Sequence, residues 1–125
     1  MKDYEVKITE SSRTFDARER IMMKDKTNAV SLDKAVQPGE QLTITPEDWA
    51  VLEIHNEASI DKDYKNYLIT DVDGVKYCTG SESFWRSFID IWEEMKEAQE
   101  EFQICIYKLE SKKYAGKSFL TCSIV

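Results

Sequence analysis

The run Asn66-Tyr67-Leu68-Ile69-Thr70-Asp71-Val72-Asp73-Gly74-Val75-Lys76-Tyr77-Cys78-Thr79 sets two β-rich stretches on either side of an Asp-Gly pair. Asp-Gly between alternating apolar residues is the strongest short-range signal for a two-residue hairpin. The register then follows: Val72 faces Val75, Asp71 faces Lys76 as an opposite-charge pair, and Thr70 faces Tyr77. On this reading Leu68, Val72 and Val75 point inward, which turns Tyr67 and Lys76 outward, while Tyr77 is claimed by packing.

Downstream, Thr79-Gly80-Ser81-Glu82 offers a capping box, with Ser81 and Ser83 as alternative caps. Phe84, Phe88, Ile91, Trp92 and Met95 then fall at helical spacing and form one apolar stripe. The acidic tail from Glu93 to Glu101 opposes the helix dipole, so its end should fray. Two further β-rich runs, Gln103-Ile104-Cys105-Ile106-Tyr107-Lys108-Leu109 and Ser118-Phe119-Leu120-Thr121-Cys122-Ser123-Ile124, close the chain as a long hairpin. Upstream, Trp49-Ala50-Val51-Leu52-Glu53-Ile54-His55 reads as a strand with Ala50, Leu52 and Ile54 on one apolar side. Tyr4-Glu5-Val6-Lys7-Ile8 alternates as a first strand, and Ala29–Leu32 and Gln41–Ile44 are short strand-like pieces around a Pro38-Gly39 turn. Between them lies an ambiguous segment that Thr14 or Asp16 could cap as a helix.

The whole is 125 residues, 42% hydrophobic and 33% charged, which fits one domain with a small core. Its net charge of -7 disfavours coating nucleic acid by bulk charge. That charge is unevenly spread: +1 over residues 1–26, -6 over 27–80, -5 over 81–101 and +3 over 102–125. Screening over about 8 Å lets the basic closing hairpin act apart from distant acid. No apolar run approaches a bilayer span and the start lacks a signal-peptide pattern, so an intracellular, cytoplasmic protein with no membrane partner is expected. Cys78, Cys105 and Cys122 read as reduced, buried thiols.

From residue 49 onward the order is strand, strand, strand, helix, strand, strand, which is the order of an OB-fold barrel. The expected fold is therefore mainly β: an OB-like barrel over 46–125, one amphipathic helix between its third and fourth strands, and an N-terminal extension over 1–45 that adds strands or covers an edge. An α+β sandwich, with the helix on an open antiparallel sheet, is the competing architecture.

The segments Tyr77-Cys78-Thr79-Gly80-Ser81-Glu82-Ser83-Phe84-Trp85 and Ser111-Lys112-Lys113-Tyr114-Ala115-Gly116-Lys117-Ser118-Phe119-Leu120-Thr121 carry a resemblance. Over residues 49–125 the chain resembles phage-encoded single-stranded DNA-binding proteins of OB-fold type, in which an aromatic helix follows the third strand and a Lys-Tyr-x-Gly-Lys-x-Phe hairpin closes the barrel. The resemblance implies sequence-independent coating of displaced DNA strands during replication or recombination in a bacterial host cell, with replication or recombination proteins as further partners. The ending Thr121-Cys122-Ser123-Ile124-Val125 reads as strand, unlike the acidic tail by which bacterial single-strand binders recruit partners.

Single-strand binding needs cations along the phosphates and aromatic faces for the bases. Tyr107, Lys108, Lys112, Lys113, Tyr114, Lys117 and Phe119 interleave the two types and are expected to line one concave groove, with Tyr114 at the loop tip as the stacking residue. Tyr67 and Lys76 join them from the central hairpin. The plain alternative is a soluble lysine-rich turn with Tyr107 and Phe119 in the core.

No catalytic residues, metal site or cofactor are expected. One histidine and three scattered cysteines are too few soft ligands for zinc. A calcium loop counted from Asp71 would have Val75 fifth and Lys76 sixth, where an oxygen ligand and a glycine are needed. An enzyme would be argued for only by His55 converging with two carboxylates in a pocket. The competing function is an acidic interaction module or nucleic-acid mimic, formed by residues 27–101 and directed at a basic host protein. Barrel edges and the exposed helix could each support a homodimer.

Overall fold

A computed structural model describes residues 3–111, 113 and 116–125. The protein is mainly β, with eight strands in two sheets and three helices among the described residues. In chain order these are β1 (Tyr4–Ser11), α1 (Ala17–Lys24), β2 (Val30–Ser31), α2 (Leu32–Ala35), β3 (Gln41–Ile44), β4 (Pro46–Asn56), β5 (Asp63–Asp71), β6 (Lys76–Thr79), α3 (Glu82–Ala98), β7 (Ile104–Glu110) and β8 (Ser118–Ile124). From β4 onward the order is the one expected. The chain divides into two compact units, residues 1–30 with 47–80, and residues 31–46 with 81–125.

The first unit is built on a five-stranded sheet ordered β1-β4-β5-β6-β2. On one face Ala50, Leu52, Ile54 and Leu68 pack with Phe15 and Met23, and Val6, Ile8, Tyr64 and Cys78 surround them. Asp16, one of the two expected caps, opens α1: its side chain accepts from the Glu19 backbone N–H at 2.8 Å, while Glu19 accepts from the Asp16 N–H at 3.0 Å. Both faces of β5 are covered at Tyr67, Leu68 and Ile69, all buried.

The second unit pairs β3-β7-β8 antiparallel and packs α3 with them. Ser81 is the cap, its Oγ accepting from the Phe84 N–H at 3.2 Å. Phe84, Phe88 and Trp92 are buried along the expected stripe, with neighbouring ring centres 6.1 and 6.0 Å apart. They share the unit with buried Leu32, Val36, Ile44, Ile104, Ile106 and Leu120. The α3 hydroxyls dress β8: Ser83 Oγ donates to the Leu120 carbonyl at 3.2 Å, and Ser87 lies 3.5 Å from Thr121 Oγ1.

No closed barrel is found among the described residues. β4 carries β1 on one edge and β5 on the other, and β7 is likewise flanked by β3 and β8. The strands of the first 45 residues thus sit on the edges that a barrel would join. They add strands to both sheets, as one of the two expected roles of the N-terminal segment.

The central hairpin departs from the expected register by one residue. Thr70 faces Lys76 and Ile69 faces Tyr77, leaving Val72, Asp73 and Gly74 as a three-residue loop between Asp71 and Val75. The cause is Asp71. Its carboxylate accepts from the backbone N–H groups of Asp73 at 3.0 Å and Val75 at 2.9 Å, and from the Tyr77 hydroxyl at 3.2 Å. These bonds fix a type I turn followed by Gly74 at φ +84°, the alternative that Asp-Gly also serves. Val72 and Val75 consequently face solvent rather than the interior.

Candidate nucleic-acid interface and the His55 cluster

The closing hairpin holds the largest share of the expected binding residues. Its register sets Leu109 against Phe119 and Tyr107 against Thr121, so these share one side, while Lys108, opposite Leu120, lies on the other. The seven residues expected in one groove therefore do not share a face. Lys108 is tied into the unit, its Nζ donating to the Asp33 carbonyl at 2.7 Å. Tyr107 is half-buried, with its hydroxyl 2.6 Å from Ser123 Oγ. Phe119 stays 39% exposed and Leu109 45%, a cross-strand apolar pair at the base of the loop. The Ser111 N–H donates to the Lys117 carbonyl at 2.9 Å and closes that loop, on which Lys113 and Lys117 are exposed. Lys112 and Tyr114 lie outside the described residues.

Two expected contacts belong to the other unit and have structural duties there. Tyr67 is buried, not outward, because strand alternation predicts two sides but not that both are covered. Lys76 reaches the end of α1, its Nζ donating to the carbonyls of Met22 and, at 2.6 Å, Asp25. A cation placed on the last carbonyls of a helix satisfies acceptors that have no partner within the helix.

His55 does converge with two carboxylates. Its Nδ1 lies 2.7 Å from Asp63 Oδ1 and its Nε2 2.8 Å from Glu57 Oε1. Asp63 first, then Glu57, raises the imidazole above its ordinary value of 6.5, against a smaller opposing effect of burial. Each ring nitrogen meets an acceptor, so the state that satisfies both is the imidazolium. An imidazolium has no lone pair for base or ligand chemistry, and acids on opposite sides of the ring do not aim at one ion. Among the described residues no group of three or more ligating side chains could hold a metal. The ring instead bridges the two ends of the β4–β5 loop, which Lys62 also ties to Glu57 at 3.2 Å.

His55 lies in a cleft of about 560 Å³ on the sheet face opposite the core. Across β1, β4 and β5 two rows of charge line it. Glu5, His55 and Asp63 form one, and Lys7, Glu53 and Lys65 the other. The signs alternate along and between rows, so the cleft is close to self-neutralised. The one signal available in sequence was period-two spacing: Glu5 with Lys7, Glu53 with His55, and Asp63 with Lys65. Nothing in it showed that the three strands are neighbours.

All three cysteines are free thiols. Cys122 is buried and its thiol is pushed up to about 12 by that burial, with Cys105 adding to it; Cys78 and Cys105 are half-buried.

Comparison with family models, curated proteins and solved structures finds no match to this chain.

Proposed function

We propose that this chain binds single-stranded DNA without catalysis, as phage-encoded single-strand binders do in the host cytoplasm, using an OB-like order of elements and the far half of the β7–β8 hairpin. The observation that carries the reading is the exposed Leu109–Phe119 pair beneath a loop bearing exposed Lys113 and Lys117. An aromatic face beside mobile-length cations is what an unstacked base and its phosphates require, and each stacked base contributes about 1–3 kcal/mol. Tyr67 and Lys76 drop out of the proposed surface and Lys108 serves as its anchor.

Titration of a fluorescent poly-dT oligonucleotide tests this. With Lys113 and Lys117 engaged, affinity should fall about sevenfold between 50 and 200 mM salt. Phe119→Ala should weaken binding at both salts, and Lys113→Glu with Lys117→Glu should abolish it. Wild-type protein that leaves the oligonucleotide unbound at low salt rejects the reading.

One observation favours the acidic-module alternative: Glu82, Asp90, Glu93, Glu94 and Glu97 are all exposed along α3. That reading expects no oligonucleotide binding and retention of a basic protein instead, lost when these acids are replaced by Gln.

A further inference from the structure

β1 is the long open edge of the first sheet. Among the described residues it pairs only with β4, whereas β2 at the opposite edge has two residues. An eight-residue edge offers a row of backbone donors and acceptors that must be covered, blunted or paired. Their direction is fixed by the Glu57 N–H, which donates to the Asp3 carbonyl at 2.9 Å. Alternation then turns the backbone groups of Asp3, Glu5 and Lys7 toward β4, and those of Tyr4, Val6 and Ile8 away from it. No proline interrupts this stretch, and the bulge that disturbs β1 comes only after Ile8.

We infer that β1 is a docking edge for a second copy of this chain, pairing antiparallel with its own counterpart about a two-fold axis at Val6. In that register Val6 faces Val6 of the second copy and Tyr4 faces its Ile8. The outward backbone groups of one strand therefore meet outward groups of the other. Glu5 falls opposite Lys7 of the second copy, and Lys7 opposite its Glu5, in the closely spaced non-hydrogen-bonded pairs. Charge selects this register over its neighbours. Sliding two residues one way sets Glu5 against Glu5, and the other way Lys7 against Lys7. Sliding by one breaks the match of backbone groups and of sheet faces.

Two other features agree with it. The charge rows of the cleft continue across the axis with no repeated sign: Asp63, His55 and Glu5 of one copy run into Lys7, Glu53 and Lys65 of the other. Tyr4, 51% exposed on the core side of β1, comes to lie against Ile8 of the second copy. An isologous two-fold contact is the common form of a soluble homodimer.

The test is solution mass by light scattering at up to about 100 μM protein, with circular dichroism as the folding control. The wild-type protein should run at twice 14.6 kDa. Lys7→Glu alone and Glu5→Lys alone place like charges opposite each other and should each weaken the dimer about tenfold or more. Their side chains are 67% and 41% exposed, so neither change should unfold the chain. An equimolar mixture of the two single variants should restore a dimer, because each then meets its complement, and the double swap should dimerise alone. Hydrogen exchange should show the Tyr4, Val6 and Ile8 amides protected in the wild type and unprotected in Lys7→Glu. A monomeric wild type, a dimer indifferent to both single changes, or a mixture that stays monomeric overturns the inference.

Discussion

Asp71 shows how much one buried side chain decides. At 5% exposure its carboxylate holds two turn amides and the Tyr77 hydroxyl, and so sets the hairpin register. Asp71→Ala should cost about 2–3 kcal/mol in urea unfolding because it leaves the buried Tyr77 hydroxyl and two part-buried turn amides without their acceptor, whereas Tyr77→Phe should cost about 1. His55 makes a pH-dependent contribution. Its folded value is raised above 6.5, so the stability it adds is complete below that pH and is lost as pH rises through the folded value. The melting temperature of wild type should exceed that of His55→Gln at pH 6, and the gap should close by about pH 9. Neither residue's role was legible in the sequence. Asp71 looked like half of a surface ion pair with Lys76, whose true partners, the carbonyls of Met22 and Asp25, lie 54 and 51 residues away.

At the scale of elements the sequence was far more readable, because period and capping chemistry are local. The α3 stripe through Phe84, Phe88 and Trp92 and the closing hairpin both stand where their spacing put them. Phe88→Ala should destabilise by about 3–5 kcal/mol in chemical denaturation, since the ring is fully buried between Phe84 and Trp92. Faces were harder to read than spans. Tyr67 and Ile69 alternate with Leu68 as a half-buried strand should, yet all three are covered, and alternation carries no information about a second layer. Alternation splits the candidate interface, in which Lys108 on β7 and Phe119 on β8 lie on opposite sides of one hairpin.

For the molecule as a whole, element order was legible and strand partnership was not. Which edges β1 and β3 occupy depends on pairings across most of the chain, and no local pattern encodes them. Both take edges of strands that the sequence assigns to a self-sufficient domain. Residues 46–125 expressed alone should therefore fail to fold as a soluble monomer, since β4 and β7 would each expose an unpaired edge. A well-dispersed amide spectrum from that fragment would contradict this account.

The alternation of the two units along the chain also orders events at the ribosome. Every residue of the first unit precedes Ser81, so that unit can close without residues 81–125. Its closing holds residues 31–46 out as a tethered loop. There β3 waits for β7, and the loop keeps exposed, until residues 104–110 have emerged, a strand that a chaperone or a neighbouring nascent chain could seize.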